Sequence, residues 1–322
     1  MLFKALTQFI FATTLVNVFP VDAVYYEWQA QAAASEEPPT WSSEEMYLAM
    51  TSLPQAQERY LAPVKIDTDS FGIVTTARSA LVVDRESGAV LFAKNPYELR
   101  AIGSVTKLMS VLVFLETQPD LSAFVTLDPT IDYVGGGRQY IAFYEPVPLA
   151  DVLGASLVGS DNSATESLVR FSGLTADEFV ARMNTKAQEL GMTSSTFTDA
   201  TGGHPKNLST AYDLTVLLEA ADENETLRGY MQSATYTLSQ AGNTYTIEHT
   251  NPLLASFLNA GTYDVLGGKT GYLPEAGYVL ATTVQENDHA VHVIVMGSAS
   301  KQMREDEAKG LAAWAFKTYE WQ

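Results

Sequence analysis

A serine and a lysine three residues apart, Ser104 and Lys107, are the side chains in this sequence best suited to covalent catalysis. The apolar residues that follow have helical spacing, so both side chains lie on one helix face and the amine can reach the hydroxyl. Backbone N–H groups at a helix start favour negative charge developing beside the serine. Since burial can keep a lysine neutral and able to take a proton, the pair predicts a serine nucleophile with a lysine base.

The Ser-x-x-Lys spacing alone has low specificity, because a chain of 322 residues of average composition contains about one copy by chance. A second copy does occur here, formed by Ser298 and Lys301. It follows a predicted strand instead of beginning a helix, and we therefore interpret it as coincidental.

Two further short motifs support the first. Ser-Asp-Asn at 160–162 lies between two helical runs, and Lys-Thr-Gly at 269–271 lies in a predicted strand. Each has an ordinary structural explanation, as a helix cap with a turn or as an edge strand that ends in a turn. The three motifs in this order are nevertheless the set typical of serine enzymes of the β-lactamase and penicillin-binding class.

The elements that must position these motifs can be predicted from apolar spacing. Runs at 80–84 and 89–93, joined by a short turn that contains glycine, predict a hairpin. Later strands are predicted at 263–270, 277–284 and 290–297. Helices are predicted at 104–115, 149–157, 163–171, 176–190, 210–221 and 305–319. This order predicts an α+β fold, with one antiparallel sheet built from both ends of the chain and a helical region inserted.

The first 70 residues have a different character. Residues 1–23 have a positive start, an apolar centre and small residues before position 24, which predicts an export signal. We expect cleavage, and the alternative is retention as a membrane anchor, so the mature chain is expected in the periplasm or outside the cell. Residues 24–70 are predicted to be a flexible acidic linker with a short helix at 43–52, followed by a catalytic domain over 71–322.

From about residue 75 to 319, the chain resembles the low-molecular-mass penicillin-binding proteins, the serine D-alanyl-D-alanine carboxypeptidases. Besides the three motifs, the likeness includes Asp-Ala-Thr-Gly at 199–202, Thr-Asn-Pro-Leu-Leu at 250–254 and Glu-Ala-Gly-Tyr at 275–278. It implies a β-lactamase/DD-peptidase-like fold, with a five-stranded antiparallel sheet flanked by helices and an inserted all-helical subdomain.

The resemblance also implies catalytic roles. Ser104 matches the nucleophile that forms the acyl-enzyme, and Lys107 matches its base. Ser160 matches the hydroxyl that relays a proton towards the leaving amine, and Asn162 matches the amide that orients the substrate and the lysine. The backbone N–H groups of Ser104 and Tyr272 would form the oxyanion hole.

Four residues are implied to bind substrate. Lys269, Thr270 and Gly271 match the strand that holds the substrate and its terminal carboxylate, and Lys269 also belongs to the catalytic group. Arg304 matches an arginine near the carboxylate pocket, although it could equally be a charge at the start of the last helix. The implied substrate is a peptidoglycan stem peptide, β-lactam antibiotics are the implied covalent inhibitors, and neither a cofactor nor a metal is implied.

Three positions depart from the family pattern. Ala101 and Gly103 replace the usual proline and alanine before the nucleophile, and Leu273 stands where threonine is common. Leucine at 273 removes a hydroxyl from the rim of the cleft, which affects the expected substrate preference but not the reaction.

Composition excludes several other functions. Thirty-eight acidic residues against nineteen basic ones give a net charge of −19, which disfavours nucleic acid as a partner. The absence of cysteine excludes disulfides, thiolate nucleophiles and iron–sulfur clusters. The four histidines lack the His-Glu-x-x-His spacing of zinc peptidases.

Three alternative functions remain. A class A β-lactamase needs a loop glutamate for deacylation, but no Glu-x-x-Leu-Asn string occurs between Asn162 and Lys269, and Glu166 is in a helix at the wrong place. A DD-endopeptidase of the same family would use the same acyl-enzyme chemistry on cross-links. An inactive cell-wall-binding module is disfavoured because every reactive side chain is present.

Overall fold

The computed structural model describes residues 61–259 and 261–322. The predicted export signal, the predicted helix at 43–52 and the linker up to residue 60 lie outside the described residues. In chain order the strands are β1 (Val64–Lys65), β2 (Ser79–Asp84), β3 (Val90–Lys94), β4 (Arg100–Ala101), β5 (Phe124–Val125), β6 (Val147–Pro148), β7 (Leu208–Ser209), β8 (Thr235–Gln240), β9 (Asn243–Glu248), β10 (Tyr263–Leu273), β11 (Gly277–Glu286), β12 (His289–Ser298) and β13 (Tyr319–Glu320).

The described residues also form seven α-helices and three short 3₁₀ turns. The turns are Gly103–Val105, Pro252–Ala255 and Phe257–Asn259. The helices are α1 (Thr106–Glu116), α2 (Leu149–Leu157), α3 (Asn162–Phe171), α4 (Ala176–Glu189), α5 (Ala211–Glu223), α6 (Glu225–Gln232) and α7 (Lys301–Thr318).

The main sheet has five antiparallel strands in the order β10-β11-β12-β2-β3. Strands β2 and β3 precede the first helix, whereas β10, β11 and β12 follow α6. Pairing of β2 with β12 therefore joins the two ends of the domain and leaves helices α1 to α6 as an insertion, whereas α7 follows the last strand of the sheet. This confirms the α+β fold with a sheet built from both ends of the chain.

The sheet is covered on both faces, because successive side chains of a strand point to opposite sides. In β2, Leu81 and Val83 pack into the core of the helical region. Their neighbours Ala80 and Val82 pack into a second core that includes Ala308 and other residues of α7. Burial on both faces explains why β2 is apolar almost throughout instead of alternating with polar residues.

The inserted region is mainly helical, but it also contains a hairpin that the sequence patterns did not predict. Strands β8 and β9 pair from Thr235 with Glu248 to Gln240 with Asn243. Their side chains are mostly exposed, so they lack the alternation of apolar residues that identifies a half-buried strand. The hairpin leads directly into the segment 248–252, which lines the cleft described below.

The start of the last helix also differs from the prediction. α7 begins at Lys301, four residues before the predicted start at 305. The hydroxyl of Ser300 caps the helix by accepting a hydrogen bond from the N–H of Met303 at 3.1 Å. The first turn of α7 is mostly polar and carries no stripe of apolar residues. The start predicted from the spacing of apolar residues therefore falls too late in the sequence.

Part of the predicted linker is attached to the folded domain. Residues 64–65 pair with 319–320, and the indole N–H of Trp314 donates to the hydroxyl of Ser70 at 2.7 Å. Residues 64, 65 and 70 therefore contact the folded domain. Short strand pairs of two residues leave no periodic pattern in the sequence from which such contacts could be predicted. Among the described residues, no helix is both long and apolar enough to cross a membrane.

Candidate active site

Ser104 lies in the 3₁₀ turn Gly103–Val105, immediately before α1 begins at Thr106. The α-helix therefore starts two residues after the predicted position, although Ser104 still lies at the end of the helix where N–H groups are unpaired. Residues 106–114 of α1 are all buried. A mainly apolar helix that is buried on all sides belongs in the core, and this position places the predicted nucleophile in a rigid part of the fold.

The amine of Lys107 is fully buried and is surrounded by three oxygen atoms. Its Nζ lies 2.7 Å from Oδ1 of Asn162, 2.6 Å from the carbonyl oxygen of Thr201 and 3.2 Å from Oγ of Ser104. The amide oxygen and the carbonyl can only accept hydrogen bonds. In a neutral amine they therefore take both N–H groups, and the remaining lone pair is directed at the hydroxyl of Ser104.

Burial favours the neutral form of this amine. It lowers the pKa of Lys107 to about 7, and the negative charges of Asp199 and Asp161 offset only part of the effect. A lysine with an ordinary pKa near 10 would be almost entirely charged at neutral pH. Lys107 is therefore able to act as a general base under physiological conditions.

The turn that carries the Thr201 carbonyl was not predicted to have a role. Oδ1 of Asp199 accepts hydrogen bonds from the N–H groups of Thr201 and Gly202, both at 2.7 Å. Its Oδ2 accepts from the N–H of His204 at 2.8 Å and from Nδ2 of Asn207 at 2.7 Å. An Asp-x-Thr-Gly string is the signal of such a turn, but its contact with Lys107 depends on the tertiary fold.

The Ser-Asp-Asn motif connects two elements, as predicted. Asp161 caps α3 by accepting from the N–H of Ala164 at 3.1 Å, and Asn162 is the first residue of that helix. The other amide atom of Asn162, Nδ2, donates to the carbonyl of Gly135 at 2.8 Å. Ser160 has a backbone φ of +61°, a left-handed conformation that is unfavourable for a residue other than glycine.

Lys269 is the second fully buried lysine of the site. Its Nζ donates to Oγ of Ser160 at 2.9 Å and to the carbonyl of Thr270 at 3.1 Å. Burial lowers its pKa well below the ordinary lysine value, and the positive charges of Lys107 and Arg304 lower it further. The structure thus brings the lysines of the first and third motifs and the serine of the second into one site.

The backbone of the turn Gly103–Val105, called the nucleophile turn below, lies very close to that of strand β10. A Cβ atom at Gly271 would lie 2.1 Å from the carbonyl oxygen of Ile102, and one at Gly103 would lie 2.8 Å from the backbone nitrogen of Tyr272. Gly103 also has a φ of +54°. In this chain, glycine at both positions allows the two backbones to approach and brings the N–H groups of residues 104 and 272 to the same place.

Arg304 lines the cleft and is itself almost completely buried. Its Nε atom has no hydrogen-bond partner among the described residues, and the nearest carboxylate, on Glu305, lies 3.8 Å from the guanidinium. The guanidinium also lies 5.9 Å from the ring of Tyr278, which stacks on Tyr272 at a centroid distance of 4.5 Å. Because its one ion pair among the described residues is this long one to Glu305, the buried guanidinium is suited to receive a further anionic group.

These residues surround one open cleft with a volume of about 730 Å³. Together with Ser104, the lining includes loop residues 136–138, residues 159, 160 and 162, the segment 248–252 and residues 270–272. His249, whose role the sequence did not reveal, is also in this lining; burial and the nearby Lys269 lower its pKa to about 3. Its ring is therefore neutral at physiological pH.

Residues that were set aside in the sequence lie outside the catalytic group. Oγ of Ser298 donates to the buried carboxylate of Glu307 at 2.6 Å and plays no part in the cleft. Glu166 faces a separate surface depression beside Arg170. Both placements agree with the interpretation of the sequence.

A second group of potential metal ligands lies away from the cleft. Glu219, Asp222 and His292 are close enough to share an ion. However, the guanidinium of Arg85 already lies 2.8 Å from the carboxylate of Glu219 and 3.7 Å from that of Asp222. The arginine supplies the positive charge that these acids require, so this group has a structural explanation.

A sheet covered by helices on both faces, with a serine and two buried lysines at its edge, defines a class of serine acyl-transfer enzymes. The D-alanyl-D-alanine carboxypeptidase family, peptidase family S11, matches residues 68–300. The chain belongs to this family, which confirms the resemblance found in the sequence.

Curated relatives include both carboxypeptidases and endopeptidases. The D-alanyl-D-alanine carboxypeptidase DacF of Bacillus subtilis is 27% identical over 253 residues, which cover 76% of this chain and 63% of the relative. The D-alanyl-D-alanine endopeptidase of Pseudomonas aeruginosa is 30% identical, with coverage of 73% and 76%. The endopeptidase of Haemophilus influenzae is 34% identical, with coverage of 63% and 69%. The chain thus spans less than two thirds of the Bacillus protein.

Solved structures share the fold. The Streptomyces K15 DD-transpeptidase matches with a TM-score of 0.71 at 26% identity, covering 77% of this chain and all of that structure. The match confirms the DD-peptidase-like fold that the resemblance implied.

The pKa of Lys107 predicts how acylation depends on pH. Because only the neutral amine can take the serine proton, the second-order rate constant for acylation by a penicillin should rise with pH through a midpoint of about 7. Stopped-flow measurements from pH 5.5 to 8.5 will test this. A rate that does not change across this range would contradict the assignment of Lys107 as the base.

The positive φ of Ser160 predicts that replacing this residue with glycine relieves backbone strain, although the loss of its hydroxyl lowers activity. Ser160→Gly and Ser160→Ala both remove the hydroxyl that Lys269 contacts, but only glycine relieves the backbone strain. We expect the glycine variant to be more stable than the alanine variant by about 1 kcal/mol, or roughly 2–4 °C in melting temperature. Both should lose roughly 10²-fold or more in acylation rate. Equal melting temperatures would show that Ser160 is not strained.

Proposed function

We propose that this chain is a serine D-Ala-D-Ala carboxypeptidase that acts on peptidoglycan stem peptides through an acyl-enzyme and is acylated by penicillins. One observation carries the proposal. The amine of Lys107 has two neighbouring oxygens that can only accept hydrogen bonds, and its third neighbour is the hydroxyl of Ser104. A neutral lysine held in this way is a base directed at one particular serine.

In the acylation step, the amine of Lys107 takes the hydroxyl proton of Ser104 while Oγ forms a bond to the carbonyl carbon of the penultimate residue. The carbonyl oxygen becomes negatively charged, and the N–H groups of Ser104 and Tyr272 stabilise it. Fixed donors of this kind typically contribute about 10²–10³ in rate each. The glycines at 103 and 271 support this role, because they allow the two backbones to approach.

Departure of the leaving group requires a proton on its nitrogen. Ser160 donates its hydroxyl proton to that nitrogen and is reprotonated from the ammonium of Lys107, so that the carbon–nitrogen bond breaks and the amine leaves. The 2.9 Å contact from Lys269 to Ser160 orients this hydroxyl. Deacylation reverses the sequence, with water in place of the amine and Lys107 again accepting a proton.

The carboxylate of the leaving D-alanine fits the cationic end of the cleft. Thr270 and Arg304 both line it, and the buried Nε of Arg304 has no partner among the described residues. A carboxylate bound there would make charge-assisted hydrogen bonds and give this nitrogen a partner. Arg304 is therefore proposed as a binding residue instead of a surface charge on α7.

Endopeptidase activity on cross-linked stem peptides is the second candidate. Two of the relatives carry that name, at 30% and 34% identity. Where the amine side of a cross-link carries a carboxylate next to the nitrogen, its leaving group resembles D-alanine. The chemistry above then applies to the cross-link without change. The two activities differ in the size of the leaving group that must enter the open cleft.

The proposed enzyme is exported, since its substrate lies outside the cytoplasm. Residues 1–23 have the composition of an export signal, and we propose that the acidic segment that follows connects it to the catalytic domain. The domain itself is proposed to extend over 71–322, with the ordered contacts of residues 64–70 added to it.

The proposed function predicts that one serine is essential. Ser104→Ala should abolish both release of D-alanine from a monomeric muropeptide and covalent labelling by a fluorescent penicillin, whereas the matched variant Ser298→Ala should retain both. Mass analysis of the products from monomeric and cross-linked muropeptides measures the first activity. Labelling of the Ser104→Ala variant would overturn the assignment, and cleavage of cross-links alone would establish the endopeptidase instead.

A penicilloyl adduct on Ser104 should persist. Among the described residues that line the cleft, Glu248 is the only carboxylate, and Glu166 lies elsewhere. A missing general base for water costs roughly 10²–10⁴ in rate. Intact-protein mass measured over time should show one adduct that decays slowly, with the same half-life in Glu248→Gln. Rapid multiple turnover would identify a β-lactamase, and its loss in Glu248→Gln would identify the base.

A further inference from the structure

We propose that Arg138 makes this enzyme select substrates whose acyl part carries a free carboxylate. The inference depends on the proposed function, because it concerns the peptide that becomes attached to Ser104. The chemical class is an acidic peptide, as opposed to the same peptide with that carboxylate converted to an amide.

The loop that carries Arg138 is fixed against the catalytic residues. The carbonyl of Gly135 accepts from Nδ2 of Asn162 at 2.8 Å, and on the other side of Arg138 the N–H of Tyr140 donates to Oδ2 of Asp161 at 2.7 Å. A Cβ at Gly137 would lie 3.5 Å from the same Nδ2 atom. Both ends of the loop are therefore tied to the Ser-Asp-Asn motif, which holds the backbone of Arg138 in place.

Arg138 is exposed, lines the cleft and has no hydrogen-bonding or ionic partner among the described residues. The arginines that stabilise the fold behave differently. Arg85, Arg170 and Arg182 each contact a carboxylate, at 2.8, 2.6 and 2.7 Å. In a chain with 38 acidic residues, an arginine that lines the same cleft as Ser104 and has no acidic partner among the described residues remains free to bind an anion from outside.

The charges around the cleft contrast with those of the whole protein. Arg138, Lys301 and Arg304 line it together with a single carboxylate, Glu248, although the net charge of the chain is −19. Such a cationic region concentrates anionic substrates at the cleft. The substrate is therefore expected to be anionic at more than its terminal carboxylate.

Arg138 and Arg304 are positioned to bind two different carboxylates of the substrate. Arg304 belongs to α7 beside the strands β10 and β11, whereas Arg138 belongs to the loop that contacts Asn162. Ser104 is linked to both sides, to Asn162 through the amine of Lys107 and to β10 through the close approach of Gly271 to its backbone nitrogen. Since the carboxylate next to the leaving nitrogen is proposed to bind at Arg304, the anion for Arg138 must come from the acyl part. A guanidinium binds a carboxylate through two parallel hydrogen bonds, which an amide cannot reproduce.

The test compares two peptides that both end in D-Ala-D-Ala and differ only in whether the side chain before this dipeptide ends in a carboxylate or a carboxamide. The wild-type enzyme should prefer the acid by about fivefold in kcat/KM, as expected for an exposed ion pair. Arg138→Gln should remove this preference by raising KM for the acid alone. The matched variant Lys301→Gln, which removes an equal charge on the other side of the cleft, should retain it.

Salt and competition complete the experiment. The preference should decrease between 50 and 500 mM NaCl, because mobile ions screen exposed charges. Competition of both peptides with labelling by a fluorescent penicillin measures binding separately from turnover. If neither peptide is cleaved, the proposed function fails, and the competition still reports the preference. Equal losses for both peptides in Arg138→Gln, or an unchanged preference, would overturn the inference.

Discussion

The burial of Lys107 is the constraint on which the rest of the site depends. An exposed lysine has a pKa of 10.5 and is charged at neutral pH, whereas burial lowers this value to about 7. The difference corresponds to about 5 kcal/mol against the charged form. Such a cost is sustained only in a rigid core, which explains why the lysine lies on α1, a helix surrounded by apolar side chains. The neighbouring oxygens of Asn162 and Thr201 then determine where the lone pair points.

A second constraint is the close approach of strand β10 to the nucleophile turn. Side chains at Gly103 or Gly271 would collide with the opposite backbone, and a Cβ at Gly202 would lie 2.0 Å from the carbonyl oxygen of Gly103. Three separate parts of the chain therefore meet through glycine. The antiparallel sheet makes this possible, because pairing of β2 with β12 brings the end of the chain back beside the helix that begins at residue 106.

Local patterns predicted much of this structure, whereas contacts between distant backbones could not be predicted. The spacing of Ser104 and Lys107 and the apolar run of β2 are visible in the sequence. The order of elements predicted one antiparallel sheet built from both ends of the chain, and the family resemblance implied its five strands. The carbonyl of Thr201 at the lysine could not be foreseen, because a carbonyl carries no side-chain signal. The left-handed backbone of Ser160 was equally hidden, since it results from the connection between α2 and α3. Hairpin β8–β9 lacked an apolar pattern because most of it faces solvent.

The two buried lysines also couple substrate binding to catalysis. The positive charges of Lys107 and Arg304 both lower the pKa of Lys269, whose amine contacts the hydroxyl of Ser160 at 2.9 Å. A carboxylate beside Arg304 would compensate part of this charge. The proton affinity of Lys269 would then rise when a peptide with a terminal carboxylate occupies the cleft, and a charged amine makes a stronger hydrogen bond to Ser160 than a neutral one. Recognition of the carboxylate would therefore orient the hydroxyl of Ser160 as well as contribute to binding.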